Sequence, residues 1–224
     1  MTLKPLFLAL AVCSTTLITA QKKTALFNNK NLKGWYAYQL ETGKNTKHPE
    51  TAFKVSDKMI RMFGENAGYL MTTKSYENFI LSVDFRWNTD TTVPRKTDKK
   101  NSGVMYLVPE NTPDELWPKG IQYQIKDNAT GDFVLLQDVT INVNNVTTTP
   151  GKSVVSKFFK SNEKPAGEWN TLTVTCSEGK ITQRLNGEIV NEGTNASVHS
   201  GRILLQYEGY PIDFKNITLQ KLKK

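Results

Sequence analysis

The chain has 224 residues, 38% of them hydrophobic and 22% charged, with a formal net charge of +8 and two cysteines. That length and composition suit one domain with a single sizeable core. They exclude a dense disulfide framework, and past the first residues no apolar run could span a bilayer.

The start reads as a leader. Lys4 supplies a positive region, Leu6 to Ile18 an apolar one too short for a membrane span, and Thr19 and Ala20 are small residues suited to cleavage. We expect residues 1–20 to be a signal peptide and 21–224 the mature domain, secreted or periplasmic. A lipoprotein cut before Cys13 is the less favoured alternative, because Val12 is large for that position. After cleavage Cys176 is the sole cysteine, so stability rests on the core.

Along the mature chain, Ala25 to Trp35 reads as an edge segment entering a sheet, and Glu41 to Glu50 as a polar loop. Ala52–Val55 and Met59–Met62 flank Ser56-Asp57-Lys58 as a hairpin. Gly68 to Thr72 is a short strand. In Asn78 to Trp87, Phe79, Leu81, Val83, Phe85 and Trp87 alternate with Ser82, Asp84 and Arg86, the period of a half-buried strand. Arg95 to Asn101 is a charged loop. Val104 to Val108 is apolar throughout, as a central strand is, and Asn111 to Pro118 is a loop carrying Trp117.

Gly120 to Asp127 alternates again. Ile121, Tyr123 and Ile125 point one way, while Gln122, Gln124 and Lys126 point the other. Strand Phe133–Leu136 is followed by an Asn/Thr-rich stretch from Asp138 to Ser153. Thr171–Cys176, Ile181–Leu185, the Asn186-Gly187 turn, Ile203–Tyr207 and Ile212–Leu222 complete the set. Many short strands, turn signals between them and no strong helical period predict an all-β sandwich.

The chemistry legible in these residues is that of sugar recognition. Long amides both donate and accept, so Gln122, Gln124 and Gln206 suit hydroxyl groups, and Trp117 suits stacking on a sugar ring. Glu208, beside Gly209, is a carboxylate candidate. His48 and His199 sit in polar loops without a nucleophile motif, and no His/Cys spacing suggests zinc. A calcium or magnesium ion held by Asp127, Asp132 or Glu208 is an open alternative, since carboxylates are what hard cations prefer. Gln122 and Gln124 stand where paired catalytic acids would, and an amide cannot shuttle a proton. That argues against direct retaining or inverting glycoside hydrolysis on this strand. The scattered basic residues, with concentrations at Arg95–Lys100 and at Lys221, Lys223 and Lys224, lack any RNA-binding signature, basic helix or phosphate loop. They suggest a solvated surface, or weak attraction to anionic glycans or lipid headgroups, and no nucleic-acid partner.

A set of short motifs then occurs in order: Leu26-Phe27-Asn28-Asn29, Gly34-Trp35, Gly68-Tyr69-Leu70, Asp84-Phe85-Arg86-Trp87, Asn101-Ser102-Gly103-Val104, Gly120 to Asp127, Gly167-Glu168-Trp169-Asn170, Leu205-Gln206-Tyr207-Glu208-Gly209 and Phe214-Lys215-Asn216-Ile217. Together they resemble the 3-keto-disaccharide hydrolase family, also known as domain of unknown function 1080, over essentially the whole mature chain. The resemblance implies a concanavalin A-like jelly-roll β-sandwich that cleaves 3-keto-glycosides by elimination and hydration. It suggests Glu208 or His48 as base, Arg86 as the group that stabilises negative charge, and Gln122, Gln124, Gln206, Asn101 and Trp117 as substrate contacts. It also exposes departures: Gln122 where relatives usually carry Glu, Leu107 where many carry His, and His48 where many carry Asp. These leave a second reading, a non-catalytic carbohydrate-binding module on the same fold.

Overall fold

A computed structural model describes residues 22–157, 160 and 162–223; the expected leader lies outside them. The strands in chain order are β1 (Lys23–Ala25), β2 (Trp35–Gln39), β3 (Gly43–Asn45), β4 (Lys54–Ser56), β5 (Met59–Met62), β6 (Gly68–Thr72), β7 (Tyr76–Glu77), β8 (Phe79–Trp87), β9 (Asn101–Val108) and β10 (Gly120–Lys126). They continue with β11 (Phe133–Leu136), β12 (Asn142–Val143), β13 (Val146–Thr147), β14 (Ser153–Ser156), β15 (Asn170–Ser177), β16 (Lys180–Leu185), β17 (Glu188–Gly193), β18 (Ser200–Tyr207) and β19 (Ile212–Lys221). Among the described residues the sole helical element is a single 3₁₀ turn at Pro49–Thr51.

Two antiparallel sheets pack face to face. One runs β17-β16-β15-β8-β19-β5-β4, with β1 added beside β19; the other runs β14-β11-β10-β9-β18-β6-β2-β3, with β7 beside β18. Alternation decides what lies between them. Phe79, Leu81, Val83 and Phe85 of the first sheet share one buried cluster with Tyr106, Ile121, Tyr123, Ile125 and Leu205 of the second. At about 25 cal/mol per Å² of apolar surface, that cluster is the main stabilising term in a domain with one free, buried cysteine. Hydrogen bonds cross the interior as well. Tyr106 Oη donates to Gln183 Oε1 at 2.8 Å, and Gln183 Nε2 donates to the Gly131 carbonyl at 2.8 Å.

The turns follow their residues. Asp57 and Lys58, Glu178 and Gly179, and Asn186 and Gly187 all take positive φ, as two-residue hairpin turns of the mirror-image type require. Three expectations change. Trp35 begins β2, which lies inside its sheet because β3 pairs outside it. The predicted loop 41–50 contains β3, and the stretch 138–153 contains the small β12–β13 hairpin, turned at Asn144 and Asn145 with positive φ.

The second sheet is buried on its outer face too. Tyr36, Tyr69, Met71, Met105, Val108, Val134, Leu136 and Leu204 form a separate apolar cluster there. This explains the unbroken apolar run of β9, since a strand covered on both faces needs no polar side. A bulge opposite Arg202 to Leu204 interrupts β9, with Leu107 at φ 55°. The bulge puts Leu107 beside Tyr106 in the inter-sheet core. Gly201 makes room for it, since a Cβ there would lie 2.4 Å from the Leu107 carbonyl carbon.

Candidate active site on the outer face of the second sheet

The alternation that sends Ile121, Tyr123 and Ile125 inward sends Gln122 and Gln124 to the outer face. A cavity of about 650 Å³ lies there. Val134, Leu136 and Val155 form its apolar part, and Gln122, Gln124, Asn101 and Glu208 its polar wall. The loop after β9 closes one side with Glu115, Leu116 and Trp117, and Lys152 comes from the segment before β14. An apolar pocket with a few convergent polar groups is the usual form of a small-ligand site.

The polar wall is one hydrogen-bonded chain. Gln122 Nε2 donates to Gln124 Oε1 at 2.6 Å, and Gln124 Nε2 donates to Asn101 Oδ1 at 2.8 Å. Asn101 Nδ2 donates to Glu208 Oε2, and Trp117 Nε1 reaches Glu208 Oε1 at 3.3 Å. Gln122 starts the chain as a donor, and Gln124 and Asn101 each accept from one neighbour and donate to the next, so the amide donors run toward the Glu208 carboxylate. Register explains the order. Gln122 lies opposite Met105, Gln124 opposite Gly103, and Lys126 opposite Asn101, so successive side chains step along the strand on one face. Burial raises the Glu208 carboxyl above the ordinary range, against the hydrogen bonds from Trp117 and Asn101 and the nearby charge of Lys126, which pull it down. A desolvated carboxylate at the wall of a sugar-sized cavity can take a proton from carbon more readily than one in water.

The loop that carries Trp117 is strapped across the sheet. Asp114 accepts from Tyr36 Oη at 2.6 Å, Tyr69 Oη at 2.8 Å and Lys44 Nζ at 2.7 Å. Arg202 donates to Tyr36 Oη at 2.9 Å and to the Pro109 and Thr112 carbonyls at 3.2 and 3.3 Å. Burial works against the Asp114 charge, yet the hydrogen bonds from Lys44, Tyr36 and Tyr69 outweigh it and hold the carboxyl below its ordinary range. The same burial, with the adjoining carboxylate, raises both tyrosines.

Of the residues singled out from the sequence, Gln122, Gln124, Asn101, Trp117 and Glu208 meet at this cavity. Gln206 shares their face but is fully buried and does not line the cavity. Neither of its amide atoms is hydrogen-bonded among the described residues, and such a group costs about 1–3 kcal/mol.

Two proposed catalytic groups lie elsewhere. Arg86 is on β8 in the opposite sheet. Because Phe85 and Trp87 face the core, Arg86 faces outward, 3.0 Å from Asp213 Oδ2 and over the Trp169 ring. The whole sandwich separates it from the cavity, so it cannot stabilise charge there. His48 follows β3, five strand positions from β10 and so about 24 Å across the sheet. Its side chain is 70% exposed, with Nδ1 3.4 Å from Glu50 Oε1.

The carboxylates considered for a cation do not converge as a set of three: Asp127 and Glu208 line a common space that Asp132 does not reach. Asp127 pairs with Lys100 at 3.7 Å, while Asp132 is buried in the β10–β11 turn, where its carbonyl accepts from the Gln124 N–H. Among the described residues no three His, Cys, Asp or Glu side chains converge.

Sequence reading missed Glu115 and Lys152 at the cavity and the Asp114 clasp. All three are polar residues in loops, and only strand order shows what they face.

The model of the 3-keto-α-glucoside-1,2-lyase-like domain matches residues 22–220. The chain belongs to this family. Leu107, singled out from the sequence as a departure, faces the core and does not line the cavity. No curated protein matches the chain. Among solved structures it is similar to a "putative glycosyl hydrolase" from Parabacteroides distasonis, at TM-score 0.61 and 23% identity over 90% of this chain and 94% of that one. It is also similar to a Bacillus licheniformis β-glucanase (TM-score 0.57, 12% identity, 92% and 100% covered). A third likeness is to the carbohydrate-binding module CBM66 from Bacillus subtilis (TM-score 0.52, 12% identity, 84% and 96% covered). These likenesses show a shared fold, the concanavalin A-like jelly-roll sandwich.

Proposed function

We propose that the chain cleaves 3-keto-glycosides by elimination and hydration in the outer-face cavity. The observation that carries this is Glu208, a desolvated carboxylate held by Asn101 and Trp117 at the end of the amide chain. A ketone at C3 acidifies the proton on C2. Glu208 takes that proton, the electron pair passes through the enolate, and the C1–O bond breaks to leave a C1=C2 double bond; the leaving oxygen takes the proton from Glu208, which restores the carboxylate. Water then adds oxygen at C1 and a proton at C2. The enolate oxygen needs a positive or hydrogen-bonding group. Lys152 is the cation lining this cavity among the described residues, and it takes the role first assigned to Arg86. Gln122 and Gln124 orient the sugar hydroxyls, and Trp117 covers the ring.

Family membership supports a glycan-acting protein, and the lyase-like character of that family supports the elimination step. Residues 1–20 serve in this reading as a cleaved leader that delivers the domain outside the cytoplasm, which sequencing the mature N-terminus would check at Gln21. Product analysis with a purified 3-keto-glucoside tests the reaction. Release of the aglycone with transient enone supports it, and no product over many enzyme equivalents rejects it. One observation favours the binding-module reading: the side chain at position 122 is an amide, which cannot carry a proton, and it is committed to Gln124. Sugar binding without turnover would select that reading.

A further inference from the structure

A second cavity, of about 570 Å³, opens on the other side of Glu208 and Asn101, which line both spaces. Its walls carry Lys96, Lys99, Lys100 and Lys126 against two acids, Asp127 and Glu208. Both acids are engaged: Asp127 pairs with Lys100 at 3.7 Å, and Glu208 accepts from Asn101 and Trp117. Lys96 and Lys99 have no ion pair among the described residues. The loop that presents them is built onto the strand end that carries Glu208. The Lys96 and Thr97 N–H groups donate to the Gly209 carbonyl at 2.9 and 3.4 Å, and Arg95 lies over the Tyr210 ring. Gly209 has φ 109°, and a Cβ there would lie 3.1 Å from both the Lys96 Cβ and the Thr97 Cγ2, so the contact needs glycine. A tethered, net positive cavity that shares two residues with the sugar pocket differs from a solvated basic face, which has no such connection.

We propose that this cavity is a subsite for an anionic group, a carboxylate or a sulfate ester, on the part of the glycan next to the reacting sugar. The inference rests on the outer-face cavity being a sugar site, and it narrows the substrate to acidic glycans. The lysines act as point charges on a flexible stem, which suits an anion whose position varies with linkage. Chemistry at C1 and C2 would proceed next door without using them.

Calorimetric titration of the mature protein with maltose and cellobiose, each as the neutral, uronic acid and 6-sulfated form, tests this. The expected result is at least about tenfold tighter binding of an anionic form at low salt, with the advantage shrinking as sodium chloride is added. The double variant Lys96→Glu/Lys99→Glu should bring neutral and anionic affinities to within about twofold, with its melting temperature as the folding control. Equal affinities in the unaltered protein, a preference that survives the double variant, or sodium sulfate competing as well as the sulfated sugar would each overturn the subsite. The two failures separate. Turnover of a neutral 3-keto-glucoside without anion preference leaves the lyase and removes the subsite. Anion-preferring sugar binding without turnover removes the lyase and leaves the subsite.

Discussion

The amide of Gln122 occupies the space above Gly103 on the neighbouring strand. A Cβ at Gly103 would lie 2.6 Å from Gln122 Nε2 and 2.7 Å from its Cδ. The amide chain to Glu208 therefore begins in a gap that only glycine leaves. Gly103→Ala should push Gln122 off Gln124 and cost about 1–3 kcal/mol, as overpacking in a tight site does. Chemical denaturation measures the loss. Sugar affinity should fall with it, and unchanged stability and affinity would show that the contact is easily relieved.

Glu208→Gln keeps the shape and removes the base. The rate on a 3-keto-glucoside should drop by about 10²–10⁴-fold. A full rate in this variant would remove Glu208 from catalysis.

The same group sets a pH dependence. The folded-state pKa of Glu208 is raised, so the folded protein holds its proton more tightly than the unfolded chain does. That stabilising contribution is complete below the unfolded value and is lost as pH rises through the folded one. Glu208→Gln should therefore melt higher than the unaltered protein at neutral pH, with the gap closing in acid. Activity runs the opposite way, appearing as the carboxyl ionises above the ordinary glutamate range. Melting curves and rates from pH 4 to 8 check both signs, and parallel melting profiles for the two proteins would refute the assignment.

Asp114→Ala should free the loop that carries Trp117. It removes the acceptor of both hydroxyls: Tyr36 Oη keeps the Arg202 hydrogen bond, while Tyr69 Oη loses its Asp114 partner, at about 1–3 kcal/mol if it stays buried and unpaired. Lys44→Ala should cost under about 1 kcal/mol, because that ammonium is 44% exposed. KM for the keto-sugar should rise in Asp114→Ala more than kcat falls. If the two variants lose the same stability, the tyrosines are not what holds the loop.

Gln122→Glu tests whether proton transfer can pass through position 122. A carboxylate at that position would face Gln124 Oε1, 2.6 Å from the present amide nitrogen, so Gln124 must turn over. The variant should be less stable at neutral pH than in acid. It should gain turnover if proton transfer passes through position 122, and the comparison is made by steady-state kinetics. Unchanged rates would confine the position to binding.

Strand periodicity was legible because burial is local in a sheet. The alternation in 79–87 and 120–126 named the inward residues of β8 and β10, and it put Gln122 and Gln124 together on one face. The Asn186-Gly187 pair named its own turn. Motif order, taken with those strands, sufficed for the family and the sandwich. What period two cannot say is which sheet a strand joins or what covers its far side. Arg86 and Gln122 are both outward residues of alternating strands, yet strand order puts them on opposite surfaces of the molecule. Strand order also moves His48 to the far edge, gathers Tyr36, Tyr69 and Arg202 around Asp114, and lays the Lys96–Lys99 loop against Gly209. The sequence by itself determined the long strands, their inward faces and the residue types available for sugar chemistry. The tertiary structure alone decided which of those residues share a cavity, because that depends on hydrogen-bonded pairing between strands about a hundred residues apart, such as β9 and β18.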